Sequence, residues 1–538
     1  MLRFGADGNH IIGGGSAGCV MANRLSADSD KAVCLIEAGP RDRNPFIHMP
    51  LGVGVIARTG WVNWNCETEV EPHLNNRRLY WPRGKTLGGS SSINAMVYIR
   101  GDRADYEGWG AAAGADWDWP RMRELFIALE NNQAIHDEHH GNAGPLCVSN
   151  LGRVNPLTED FVEAGVELHY PRNPDFNGVS QEGFGVYQVT QKDGQRFSTA
   201  RAFLDPARSR KNLAIETNGL VERILFKDRR AIGVRVGGRD LLLRPGGEVI
   251  LSAGAVNSPQ ILMLSGVGSA SELRQHGIEI VLDAPEVGAN LADHLDYTAV
   301  ATTADREGFG VAPSFLPRAI RGAWSYFLHH EGELTSNASE GGAFLKSDAG
   351  RERPNLQFHF LPAILRDLGR KTAFGYGMTV HVCDLLPKSR GRIGLKIADP
   401  TAHPRIEGNY LSHPDDVGVL LNGAKLARKL LHAPALARHL REEVRPGPAV
   451  QTDEALIDDI RARAETIYHP VGTCRMGSDS ASVVDPAARV RGIDGLRVVD
   501  ASVMPSVVGG NTNAPVIMMA EKAVDMIRED HSFESATS

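Results

Sequence analysis

The chain has 538 residues, enough for a large buried core and more than one folding unit. Hydrophobic residues make up 42% and charged residues 23%, which excludes a mainly disordered chain. Lys and Arg number 58 against 65 Asp and Glu, a net charge of −7 with no basic block, so nucleic acid is excluded as a partner. Cys19, Cys34, Cys66, Cys147, Cys383 and Cys474 form no CxxC pair, which argues against a disulfide framework and a thiolate zinc site. No stretch approaches the roughly 18 consecutive apolar residues that span a bilayer, and Met1 to His10 has no leader-like pattern. The expected location is cytoplasmic, or peripheral on the inner membrane face.

From the N-terminus, Ile11-Ile12 closes a strand and Gly13-Gly14-Gly15-Ser16-Ala17-Gly18 makes a turn. Cys19 to Leu25 is helix-like, and Ala32 to Ile36 is a second strand ending at Glu37. This pattern suits a dinucleotide. Gly13 makes the tight turn, Gly15 admits a pyrophosphate, Gly18 permits close helix–strand packing, and Glu37 accepts from a ribose. A second glycine cluster runs from Arg83 through Gly88-Gly89-Ser90-Ser91-Ser92-Ile93-Asn94-Ala95-Met96, small residues that let backbone lie against a planar group. His136-Asp137-Glu138-His139-His140 reads as a solvated loop and not a metal site, because no further ligand is spaced to complete it. A third cluster, Val249 to Ala255, is a strand running into a turn, with Ser258-Pro259 in the helix that follows.

Residues 155–212 and 310–463 carry strand-like alternation: Leu356, Phe358 and Phe360 alternate with Gln357, His359 and Leu361, as in a sheet with two different faces. Leu316, Ile320, Trp324 and Leu328 recur every four residues beside Arg318 and Arg321. A helix there either packs on the molecule or lies on a bilayer. Near the C-terminus, Pro470 keeps His469 out of regular helix, and Asn511-Thr512-Asn513-Ala514-Pro515 opens a helix with Asn513 as its N-cap. A histidine can take a hydroxyl proton at neutral pH, and an asparagine amide can orient the same oxygen.

The three glycine clusters, Tyr468-His469-Pro470-Val471-Gly472-Thr473-Cys474-Arg475-Met476-Gly477 and Asn511 to Pro515 together resemble the glucose–methanol–choline (GMC) family of FAD-dependent oxidoreductases. The resemblance covers nearly the whole chain. Pro45 to Gly52, Asn173 to Gly178, Asn355 to Phe360 and Asp384 to Gly391 are similar to its bacterial alcohol dehydrogenases, most of all the membrane-associated enzymes of alkane oxidation, and also the L-sorbose and, more distantly, choline dehydrogenases.

The fold this implies is mixed α/β: a Rossmann-like FAD-binding domain in three pieces (1–154, 213–309 and 464–538) with an inserted antiparallel-sheet substrate domain (155–212 and 310–463). The implied activity is oxidation of a primary aliphatic or aromatic alcohol to the aldehyde. His469 takes the proton, Asn513 holds the oxygen, and hydride passes to flavin N5. Electrons then go to a quinone or another acceptor; choline or L-sorbose oxidation, an oxygen-using oxidase and a non-redox hydroxynitrile lyase are the alternatives. The FAD contacts implied are Gly13, Gly15, Ser16, Gly18, Glu37, Ala38, Arg83, Gly88, Ser91, Asn94, Ala95, Met96, Val97, Val221, Ala253, Gly254, Asp500, Ala501, Asn511, Thr512, Asn513 and Pro515. Ile93 stands where covalently flavinylated members carry histidine, so a non-covalent FAD is expected.

Overall fold

The computed structural model describes residues 8–244, 246–365, 367–371 and 373–537. Short β-branched runs make a parallel sheet in the order Leu213–Thr217, Ala32–Glu37, Gly8–Ile12, Val249–Leu251, Leu496–Val498. Its strands carry near-continuous apolar side chains because helices cover the sheet; Ile11, Leu35, Ile250 and Val498 are completely or almost completely buried. Asn9 is buried in the first strand, and its side-chain oxygen accepts from the Glu248 N–H at 3.0 Å. The first helix, Ser16–Leu25, packs against the last, Asn513–Thr537, and Arg24 pairs with Glu521 across the contact.

The second sheet is antiparallel, in the order Leu440–Arg445, Leu295–Thr303, Gly377–Asp384, Leu356–Leu361, Gly341–Leu345, Gly183–Val186, with Glu465–Thr466 pairing beside Leu295–Asp296. Two of its strands, Leu295–Thr303 and Glu465–Thr466, fall inside segments expected in the nucleotide-binding part. Both faces of this sheet are buried. The long helix Pro414–Leu431 packs on it, and Phe360 stacks on Phe161 at 4.8 Å between ring centroids. The alternation along Leu356–Leu361 therefore separates an apolar face from a polar internal one, because Gln357 and His359 are as buried as Phe358.

The helix Leu316–His329 leaves Leu316, Ile320, Trp324, Phe327 and Leu328 exposed. Of its two arginines, Arg318 is tied to Glu333 and to the Glu307 carbonyl, while Arg321 is exposed. The loop expected to be solvated around His140 is not so throughout. His140 is buried, with Nδ1 at 3.0 Å from Glu130 and Nε2 at 3.0 Å from Asp175. Asp137, His140 and Asp175 come close enough to surround an ion, although both histidine nitrogens already have carboxylate partners.

Candidate active site

One deep cavity runs from the carboxyl ends of the parallel strands to the inner face of the antiparallel sheet, where open α/β sheets bind their ligands. At the first end lie Ile12, Gly13, Gly15 and Ser16. Gly13 has φ +98°, and a Cβ on Gly18 would meet the Gly13 carbonyl oxygen at 1.9 Å, so the helix can approach the strand only without one. A Cβ on Gly15 would meet nothing closer than 3.9 Å. Protein packing thus leaves that position open, as the close approach of a pyrophosphate requires. Gly15 caps the first helix without a side-chain hydrogen bond, and Gly15, Ser16 and Ala17 all line the cavity. The helix's first N–H groups are therefore available to an anion.

Glu37 also lines the cavity. Its carboxylate accepts from the Gly14 N–H at 2.8 Å and the Gly39 N–H at 2.7 Å, and burial pushes its pKa up to about 7 in spite of these donors. A carboxylate has lone pairs to spare for a ribose beyond those two bonds. Ile93 lines the cavity with a hydrocarbon side chain that offers no nucleophilic atom. The cradle therefore fits FAD held without a covalent bond.

The structure brings together most of the expected contacts. Ala38, Arg83, Asn94, Ala95, Met96, Val97, Val221, Ala253, Gly254, Asp500, Ala501, Asn511, Thr512 and Asn513 join Gly13, Gly15, Ser16 and Glu37 along the wall. Four do not line it. Gly18 is packed beneath the turn, and Pro515 is buried in the first turn of the last helix. Gly88 donates its N–H to the Gly14 carbonyl at 2.7 Å, tying the two glycine loops together. The Ser91 hydroxyl is spent on the Gly88 carbonyl at 2.6 Å and on Thr199. Asp500 accepts from the Gly254 N–H at 2.9 Å and the Ser258 hydroxyl at 2.5 Å, which anchors the start of the helix Gly254–Leu264.

His469 sits at the far end, in a loop where Tyr468 adopts φ +73°. Its protonation pattern follows from its neighbours. A carbonyl can only accept, so the His294 Nε2 that lies 3.1 Å from the Leu385 oxygen carries a proton. Burial lowers the His294 pKa to about 4, so its other nitrogen, Nδ1, is an acceptor and takes the proton of His469 Nδ1 at 3.0 Å. His469 Nε2 is then left with a lone pair. The Asn511 side chain agrees from the opposite direction, since its amide nitrogen can only donate, and it lies 3.1 Å from that Nε2. Gln357 fixes the amide's orientation by donating to Asn511 Oδ1 at 3.0 Å.

Burial first, and then the electrostatic influence of His294, His359 and Arg83, hold the His469 pKa well below the ordinary histidine value. His469 is neutral at neutral pH and its lone pair faces the cavity. Asn513 does not fill the partner's place: its Oδ1 accepts from the Ser16 hydroxyl at 2.8 Å and joins the starts of the first and last helices. The expected pairing of His469 with Asn513 thus gives way to His469 with Asn511. The last helix begins at Asn513, so Asn511 remains in the loop that reaches the histidine.

Sequence reasoning did not single out His294, Asp296 or His381, and it named Gln357 and His359 without placing them at the site. The alternation along Leu356–Leu361 placed Gln357 and His359 on one face without showing that this face lines the cavity.

The chain also matches known proteins over nearly its whole length. Residues 9–296 and 387–520 match the N-terminal and C-terminal domains of the family described as GMC oxidoreductase. The chain is 56% identical to an alcohol dehydrogenase [acceptor] of Pseudomonas putida over 96% of this chain and 95% of the relative. It is 42% identical to an oxygen-dependent choline dehydrogenase of Rhizobium etli, over 96% of this chain and 94% of that one. Among solved structures, pyridoxine 4-oxidase from Mesorbium loti superposes with a TM-score of 0.87 at 31% identity, covering 98% of this chain and 99% of the other. With a glycine cradle at one end of the cavity and a base-ready histidine at the other, the chain belongs to the GMC oxidoreductase family.

Proposed function

We propose that the protein is an FAD-dependent alcohol dehydrogenase that oxidises a primary aliphatic or aromatic alcohol to the aldehyde. The observation that carries this reading is the unprotonated Nε2 of His469, which accepts from the Asn511 amide in the cavity that the glycine cradle opens into. An alcohol oxygen that displaces the Asn511 N–H from Nε2 gives its proton to Nε2 and accepts from that N–H, which steadies the charge left on oxygen. His469 then holds the proton with Nδ1–H still bonded to His294. FAD, held by the turn at Gly13–Gly18, supplies the acceptor for the carbinol hydride. The name of the Pseudomonas putida relative supports an acceptor other than oxygen, and a quinone is the acceptor proposed here. The relatives' names are those of dehydrogenases and oxidases, which leaves the lyase alternative without support.

No helix among the described residues is long and apolar enough to cross a membrane. We place the contact with a quinone-bearing membrane on the helix Leu316–His329, whose exposed Leu316, Ile320, Trp324 and Phe327 accompany the exposed Arg321. Vesicles containing anionic phospholipid are expected to co-sediment with the protein but not with the Ile320→Asp, Trp324→Asp double variant. Equal sedimentation of the two removes this contact. The activity itself is tested with the purified yellow holoprotein, a dye acceptor and a panel from hexanol and benzyl alcohol to choline and L-sorbose. Dye reduction with stoichiometric aldehyde from the neutral primary alcohols is expected. Absence of turnover with every alcohol would overturn the reading.

A further inference from the structure

The wall facing His469 carries polar atoms that the protein does not use. His359 and His381 stand opposite each other on neighbouring strands, and both line the cavity with Asp296. All three side chains are more than nine-tenths buried. His381 Nδ1 lies 2.5 Å from Asp296 Oδ2, and His359 Nδ1 lies 3.2 Å from the Ser339 hydroxyl. Their remaining atoms, Asp296 Oδ1, His359 Nε2 and His381 Nε2, are buried without a protein partner. A single orphan of this kind is unusual, and each costs free energy unless something in the cavity bonds to it. Three together on one wall make a built site.

Resting on the alcohol reading above, we propose that this wall is a second subsite that binds a neutral hydroxyl of a bifunctional alcohol, so that the preferred substrates are α,ω-diols. The chemistry of the donors selects that group. Burial raises the Asp296 pKa and its Oδ2 is already bonded to His381 Nδ1, so the site opposes the full negative charge that would draw a cation. His359 is neutral, its pKa lowered to about 3 by burial and by the neighbouring histidines, and adds no charge of its own. Arg83 further disfavours a cation in this end of the cavity. What remains is a set of unpartnered hydrogen-bonding atoms, which a hydroxyl can satisfy as donor and acceptor at once. A quaternary ammonium can satisfy none of them.

The test compares kcat/KM for 1-alkanols and the matching α,ω-diols from propane to octane, and for choline against its uncharged isostere 3,3-dimethyl-1-butanol. In the wild-type holoprotein one diol length is expected to exceed its 1-alkanol by about ten-fold or more, beyond the factor of about two due to its two reactive ends. His359→Leu is expected to lower that ratio to about two, and His359→Gln, which keeps a donor and an acceptor, to restore part of it. The neutral isostere is expected to outrun choline. Diol ratios near two at every length, or a preference for choline, would overturn the subsite while alcohol oxidation stood. Failure of the 1-alkanols as well would instead point to the alcohol reading itself.

Discussion

At the scale of single residues, the account turns on which nitrogen of His469 carries the proton. The Leu385 carbonyl and the Asn511 amide lie at opposite ends of the His294–His469 pair, and each independently leaves the lone pair on Nε2. Because burial and nearby positive charge hold the His469 pKa well below 6.5, the base form persists as pH falls. The kcat/KM profile should therefore show no acid limb assignable to His469 at or above pH 6.5. An acid limb at that pH that disappears in a His469 variant would contradict the placement. The two asparagines should separate cleanly. Asn511→Ala removes the donor at His469 and is expected to lower kcat/KM by about ten- to a hundred-fold while the protein keeps its flavin. Asn513→Ala removes the acceptor of the Ser16 hydroxyl, so its main effect should be weaker flavin retention, measured by absorbance after gel filtration.

Among elements, the glycine turn is the most demanding. Gly18→Ala would put a methyl group against the Gly13 carbonyl, and the shift it forces should lower stability by about 1–3 kcal/mol and release flavin, read by thermal melting and bound absorbance. This turn was legible in the sequence because backbone sterics dictate where each glycine must stand. The pairing of His469 was not, because Asn511 and Asn513 are chemically identical and only the point at which the helix begins decides which one reaches the histidine. His140 was misread for a related reason: Asp175, which holds its Nε2, lies thirty-five positions away. Burial lowers the His140 pKa, but its bonds to Asp175 and Glu130 outweigh this and raise it to about 9. A histidine raised above its unfolded value stabilises fully below pH 6.5 and loses that contribution as pH rises through about 9. The melting temperatures of wild type and His140→Gln should therefore differ most below pH 6.5 and converge above pH 9. A gap independent of pH would contradict the ion pair.

For the whole molecule, two sheets of different kinds share one cavity. The parallel sheet brings the turn at Gly13–Gly18 and Glu37, and the antiparallel sheet brings Asp296, His359 and His381. Local patterns announced both sheets, but the strand Leu295–Thr303 joins the second one from a segment expected in the first, because strand pairing depends on contacts remote in sequence. His469 stands where the two meet, and its role as base is the central claim. The most direct measurement mixes oxidised holoprotein anaerobically with hexanol and follows flavin absorbance near about 450 nm, for wild type and His469→Ala. The account predicts bleaching by the wild type and a rate lower by roughly a hundred- to ten-thousand-fold in a variant that still binds flavin. Equal bleaching rates in the two proteins would contradict it.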